Sequence, residues 1–243
     1  MSFDDLDAAK AYPFPLAAFD GEPRGVSSSA PRGCASPLAF HESGHVLVSR
    51  FYGLPIKSVT IVPTAFYGGR VLGLDADQDA SPAEQIAATA RLCQQARALL
   101  AGPGEDLADG SIWAMHAACR TIELMAGHAG ERLFDERAPP LDWATDLALA
   151  RLYASTICAP AAIAAYLHFA AQEARAILSR YRPCLDALAA ALEASGTLDG
   201  AEIDRIIATA IDEVAMRQEK ARRAQRRETV ERAALFLKEI ENA

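Results

Sequence analysis

Residues 36–53 read SPLAFHESGHVLVSRFYG and contain the pattern H-E-x-x-H. The opening serine and proline are typical of a helix N-cap and a first helical residue, and the closing glycine is typical of a helix end. Within such a helix, His41 and His45 lie about one turn apart and share a face, so both imidazoles can bind one metal ion. The pattern therefore predicts a helix that carries two metal ligands.

The glutamate in this motif indicates hydrolytic chemistry. A catalytic zinc ion takes three protein ligands and keeps an open position for water. Glu42 would stand beside that water and take its proton as the water attacks a peptide carbonyl. The alternative is a chance match in a helix with two surface histidines. The apolar residues around the motif and the β-like run that follows it, IKSVTIVP at 56–63, favour the metal site.

The composition of the 243-residue chain narrows the class of protein. Hydrophobic residues make up 51% and aromatic residues 7%, which favours an alanine-rich helical protein and excludes collagen and disulfide scaffolds. No apolar run reaches the roughly 18 residues of a membrane span, and no secretory signal is expected. The net charge of -8 disfavours a nucleic-acid partner. Five widely spaced cysteines fit reduced thiols and a cytoplasmic location.

Three regions are expected along the chain. Residues 1–35, rich in Pro, Gly, Ser and Asp, predict a flexible arm. Residues 36–210 predict one mainly helical domain with a small β element beside the H-E-x-x-H helix. Residues 211–243 predict a charged helical extension. Its basic stretch, 217–227, is interpreted as a solvated helix face, with docking to an acidic partner, a nucleic acid or a membrane as the alternative.

The secondary structure follows from periodicity and capping signals. Two short β segments, in 56–63 and 71–77, predict a hairpin or a small sheet. The remaining helices are expected from Ser81 to before Gly102, from Ser111 to Phe134, over 142–157, 159–181 and 183–195, and from Asp199 onward.

Several segments resemble, in order, the peptidase domain of the FtsH family of ATP-dependent zinc metalloproteases. The family has an H-E-A-G-H helix before a V-T-I-x-P strand, then an A-L-G segment, an A-G-R-x-A-E-E-L helix and a D-L-x-x-A-T-x-x-A helix. The similar segments here are AFHESGHVLVSRFYGLPIKSVTIVP (39–63), VLGLDAD (71–77), MAGHAGERLF (125–134), TDLALARLYA (145–154) and the closing part, 173–207. The resemblance covers about residues 38–208.

The resemblance implies a mostly helical zinc peptidase domain whose metal is held by two histidines and one aspartate. By position these are His41, His45 and Asp146. Asp142, one turn earlier, is the alternative aspartate, although its simpler role is to cap the same helix. Glu131 is a further candidate ligand, and the resemblance makes it a supporting residue that orients the site.

The chain also departs from the family pattern. His128 stands where the family has arginine, and Arg132 stands where it has a second glutamate. Family members carry a membrane anchor and an ATPase module, whereas no G-x-x-x-x-G-K-[ST] motif occurs here. Folded substrates would therefore have to be unfolded by a separate ATPase, or the substrates would already be flexible. Because family peptidase domains form rings, a homo-oligomer is expected.

These observations predict a cytoplasmic zinc endopeptidase that hydrolyses unfolded or flexible proteins and peptides with zinc-activated water, with Glu42 as the base. Residues 69–75 are the predicted strand on which substrate docks. One alternative is a catalytically idle FtsH-like domain that acts as an adaptor or regulator. Another is a hydrolase for small substrates or a self-processing protein.

Overall fold

The computed structural model describes residues 36–73, 79–100, 107–137 and 139–241. These residues form seven α-helices and a small three-stranded sheet, and 77% of the structure is helical. The predicted mainly helical fold with a small β element is confirmed. The predicted N-terminal arm, 1–35, lies outside the described residues.

The described residues contain three strands and seven α-helices. The strands are β1 (Ser58–Thr60), β2 (Arg70–Leu72) and β3 (Thr197–Asp199). A short 3₁₀ turn precedes the fifth helix. The helices are α1 (Pro37–Phe51), α2 (Pro82–Leu100), α3 (Leu107–Phe134), α4 (Ala144–Ile157), α5 (Ile163–Arg180), α6 (Arg182–Ser195) and α7 (Gly200–Glu241).

Side-chain caps set the starts of several helices. The Ser36 hydroxyl accepts a hydrogen bond from the backbone N–H of Ala39 at 3.2 Å, which caps α1. At the start of α7, Asp199 and Glu202 each accept a hydrogen bond from the backbone N–H of the other, at 2.8 and 2.9 Å. Ser81 and Glu84 form the equivalent capping box of α2. These helices start where the sequence predicts.

The start of α3 was predicted wrongly. The helix begins at Leu107, four residues before Ser111, so part of the expected loop is helical. Gly110 suggested a loop, but it lies in the first turn. The first backbone N–H groups of a helix have no partner within the helix, and a glycine there weakens the helix less than one in its interior.

The sheet contains one strand more than a hairpin. The central strand, β1, pairs antiparallel with β2 and with β3, which gives the order β2-β1-β3. Within this sheet β2 is an edge strand. The third strand was not predicted, because three residues between a helix end and a helix cap carry too little pattern to be recognised.

Helices α1 and α3 pack against each other almost backbone to backbone. Residues 39–49 of α1 are all buried. A Cβ atom on Gly44 would lie 2.5 Å from the carbonyl oxygen of Ala126, and one on Gly130 would collide with the carbonyl oxygen of Phe40. Only glycine permits such an approach. The contact brings the polar faces of the two helices together.

Helix α7 leaves the body of the protein after its first turns. Ile203 and Ile207 are buried, whereas residues 219–234 are all exposed. Most of the basic stretch, residues 219–227, lies in this exposed part, where Glu219 pairs with Arg223 at 2.7 Å. Among the described residues, none of the helices combines the length and the apolarity that crossing a bilayer requires.

Candidate metal centre

Three side chains converge between α1 and α4. The Nε2 atoms of His41 and His45 are 3.1 Å apart, and Asp146 Oδ2 lies 3.3 Å from the first and 3.4 Å from the second. For a tetrahedral ion with bonds of about 2.0–2.1 Å, the ligand atoms are about 3.3–3.4 Å apart. The three atoms therefore have nearly the separations that a tetrahedral ion requires, and they form a group that could hold a metal ion.

The helices explain why these three residues meet. His41 and His45 are four residues apart on α1, and Asp146 lies in the first turn of α4. Asp142 is exposed, and its Oδ1 accepts a hydrogen bond from the backbone N–H of Ala144 at 3.0 Å. The structure brings Asp146 to the histidine pair. Asp142 is not the N-cap that the sequence suggested, because Trp143 occupies that position and Asp142 lies one residue before it.

Each histidine is supported from behind by a carboxylate on α3. His41 Nδ1 lies 2.5 Å from Glu131 Oε1, and His45 Nδ1 lies 3.1 Å from Glu123 Oε1 and 2.9 Å from the Glu123 carbonyl oxygen. A hydrogen bond donated by Nδ1 fixes the ring and leaves the Nε2 lone pair for a metal. Glu131 thus contacts His41 from the side opposite the candidate metal, as the resemblance implies for a supporting residue.

Glu123 was not predicted, although the sequence contains a signal for it. Glu123, Gly127 and Glu131 recur every four residues and so share one face of α3. This spacing complements the four-residue spacing of His41 and His45 on α1. A search for a second helix with polar residues at matching intervals would have found it.

Gly127 forms the floor of the site. A Cβ atom there would lie 2.6 Å from His41 Nε2 and would collide with His45 Nε2 as well. The absence of a side chain at this position leaves the two imidazoles room to converge. The residues present therefore fit a metal ion in spacing, in donor type and in available room.

Glu42 lies beside the group without belonging to it. Its side chain is buried against Gly69, where a Cβ atom would lie 2.6 Å from Glu42 Oε1. Burial raises the pKa of Glu42 to about 7, although the neighbouring imidazoles of His41 and His45 act in the opposite direction. A carboxyl with a pKa near neutrality can both accept and donate a proton at physiological pH.

The charges in the cluster favour a cation. Burial opposes ionisation of His41, but the carboxylates of Asp146 and Glu131 outweigh it and raise the pKa of that imidazole. The pKa of Asp146 is lowered despite its burial, chiefly because His45 and His41 lie close to it. The same carboxylates that raise the histidine pKa values also attract a metal cation. Metal binding then releases the protons from the imidazoles.

His128 and Arg132, which depart from the family pattern, do not join the ligand group. The His128 ring stacks on Trp143 with centroids 4.7 Å apart, and Arg132 donates a hydrogen bond to the Glu136 carbonyl at 2.7 Å. Among the described residues, the four cysteines are free thiols.

Comparison with known proteins does not assign the chain to a family. No protein-family model matches it, and no curated protein matches it either. Fold and site define a mainly helical protein with a candidate three-ligand metal centre. The resemblance to FtsH peptidases stays a prediction.

Proposed function

We propose that this protein is a zinc-dependent endopeptidase. The observation that carries the proposal is the tetrahedral spacing of His41, His45 and Asp146, with Glu42 buried beside them as a carboxylate that is not a ligand. Two imidazole nitrogens and one carboxylate oxygen form a donor set typical of catalytic zinc. They leave one position of a tetrahedral ion for water or substrate.

The chemistry divides between the metal and the protein. A bound zinc ion would polarise the peptide carbonyl and lower the pKa of water. Glu42 accepts a proton from the attacking water, whose oxygen bonds to the carbonyl carbon. It then delivers that proton to the leaving nitrogen as the C–N bond breaks. Glu131 and Glu123 hold the two imidazoles in place during both steps.

The position of the edge strand β2 supports the proposal that the substrate is an extended chain. Gly69 touches Glu42 and immediately precedes β2, whose only neighbour in the described sheet is β1. An edge strand offers unpaired N–H and C=O groups to another extended chain. A substrate added along β2 would pass close to Glu42. This geometry favours unfolded or flexible proteins over helical ones, because a helix keeps its carbonyls in its own hydrogen bonds.

The alternative hypothesis, an adaptor without catalytic activity, does not explain the position of Glu42. A catalytically idle domain would have no chemical need for Glu42 beside a three-ligand group. A separate ATPase, a homo-oligomer and a cytoplasmic location remain predictions that accompany the proposal.

The test combines metal analysis with proteolysis. We expect the purified protein to contain about one zinc per chain and to hydrolyse casein. A chelator should stop hydrolysis, and added zinc should restore it. Zinc-loaded protein without activity on casein or on a peptide library would favour the adaptor. Protein that binds no zinc would refute the proposal.

A further inference from the structure

The carboxylate that supports His45 is itself held by a charged side chain. Glu123 is 4% exposed, and its two carboxylate oxygens have different partners. Oε1 faces His45 Nδ1 at 3.1 Å, and Oε2 forms an ion pair with Arg120 NH1 at 2.9 Å. The carboxylate is therefore held from both sides, between the imidazole and the guanidinium.

The other histidine is supported differently. Glu131 Oε2 accepts a hydrogen bond from the backbone N–H of Leu141 at 3.0 Å, so a neutral group of the main chain orients that carboxylate. The carboxylate of Glu123 pairs instead with the charged side chain of Arg120. A substitution can remove that side chain, whereas it cannot remove a backbone N–H except by proline.

Arg120 also contacts the helix that supplies the third ligand. Its guanidinium carbon lies 5.9 Å from the ring centroid of Tyr153, within the range of a cation–π contact. Tyr153 is buried on α4, about two turns after Asp146. One side chain on α3 thus touches both the support of His45 and the helix that carries Asp146.

We propose that Arg120 is a positioning residue of the metal centre, which fixes His45 through Glu123 and α4 through Tyr153. The inference rests on the proposed function, because it concerns the same metal site. Removal of the guanidinium leaves a buried carboxylate without its cation, which is unfavourable. The Glu123 side chain then gains freedom to turn away from His45. The Glu123 carbonyl still accepts from His45 Nδ1 at 2.9 Å, so the ligand is loosened rather than lost.

A purely structural ion pair is the alternative, and the chain contains a matched control. Arg50 Nε pairs with Asp204 Oδ1 at 2.8 Å, and the two side chains are 12% and 30% exposed. This pair joins α1 to α7 and touches none of the candidate ligands. Arg50→Met therefore removes a comparable ion pair on the helix that carries His45, without affecting the support of the site.

The experiment measures zinc affinity by competition with a chelator, in the full chain, alongside the thermal midpoint of the metal-free protein. Arg120→Met should weaken zinc binding by about 10–100-fold, the range typical of outer partners of metal ligands. Arg50→Met should lower the thermal midpoint but leave zinc affinity unchanged. Arg120→Lys, which keeps a cation near Glu123, should recover most of the lost affinity. The absorption spectrum of the cobalt-substituted protein should change in Arg120→Met and not in Arg50→Met.

The outcomes separate this inference from the proposed function. Wild-type protein that binds no zinc refutes both. Wild-type protein that binds zinc, together with an Arg120→Met variant of equal affinity and spectrum, refutes only the positioning role. Should Arg120→Met fail to fold, Glu123→Gln carries the same test, because it keeps the side-chain size and removes the charge. Unchanged zinc affinity in Glu123→Gln would then overturn the inference.

Discussion

Replacement of Gly127 by alanine should prevent metal binding without unfolding the protein. The new Cβ atom would lie 2.6 Å from His41 Nε2, whereas ordinary contact begins at 3.4 Å, so the two atoms must separate by about 0.8 Å. Metal–ligand distances tolerate deviations of only about 0.2 Å. The imidazoles of His41 and His45 could not both adjust and still meet one ion.

The expected effect on folding is much smaller. Overpacking in a core costs about 1–3 kcal/mol. Alanine offsets part of this, since it is better than glycine in a helix by about 0.8–1.0 kcal/mol. We therefore expect a small loss in the free energy of unfolding of the metal-free protein. Zinc affinity should fall by more than about 100-fold. That exceeds the loss usually seen when a residue that only supports a metal ligand is replaced.

Titration with zinc against a chelator measures the zinc affinity, and a thermal melt of the metal-free protein measures the loss of stability. Gly68→Ala is the control, because its Cβ would meet only Leu38 Cδ2 at 3.9 Å. Gly69→Ala is a second comparison. Its Cβ would press on Glu42, so zinc should be retained while turnover falls. A folded Gly127→Ala protein with wild-type zinc affinity would show that the ion binds elsewhere.

Further substitutions test the third ligand, the substrate-docking strand and the pKa of a buried histidine. Asp146→Asn should lower zinc content far more than Asp142→Asn, as measured by mass spectrometry, because only the first removes a ligand charge; equal losses would reject the assignment. Gly73→Pro, just after β2, should keep zinc but reduce casein cleavage at least about tenfold, because proline has no N–H to donate to a neighbouring strand; a folded, fully active variant would exclude docking there. Burial, with help from Arg120, lowers the pKa of His116 to about 4. Between pH 6.5 and about 4 the unfolded chain binds a proton that the folded one rejects, so stability falls as the pH drops. In urea melts, His116→Gln should remove up to about 3 kcal/mol of this acid-induced loss, and identical pH profiles would contradict the shift.

The helix that decides the site was predictable because its signals are local. The N-cap, the proline after it and the four-residue spacing of His41 and His45 all lie within one segment of sequence. Asp146 is about a hundred residues away, and nothing local separates it from Asp142. The resemblance to a family suggested Asp146, and the path of α4 then brings it to the histidines.

Other features depend on packing between distant segments. Glu123 supports His45 only because Gly44 and Gly130 let α1 and α3 approach so closely. Likewise, β3 is a strand only because β1 lies beside it, since three residues have no stable extended structure alone. Periodicity within one segment cannot indicate such contacts, although matching intervals on two helices can.

Proteolysis by wild-type and Glu42→Gln proteins, each loaded with the same amount of zinc, tests the central claim most directly. The carboxylate is beside the candidate ligands but outside their group, so the variant should fold and bind zinc like the wild type. If Glu42 is the base, casein hydrolysis falls by about 10²–10⁴-fold in the variant, the usual contribution of a general base. Undiminished hydrolysis by the zinc-loaded variant would contradict this role of Glu42.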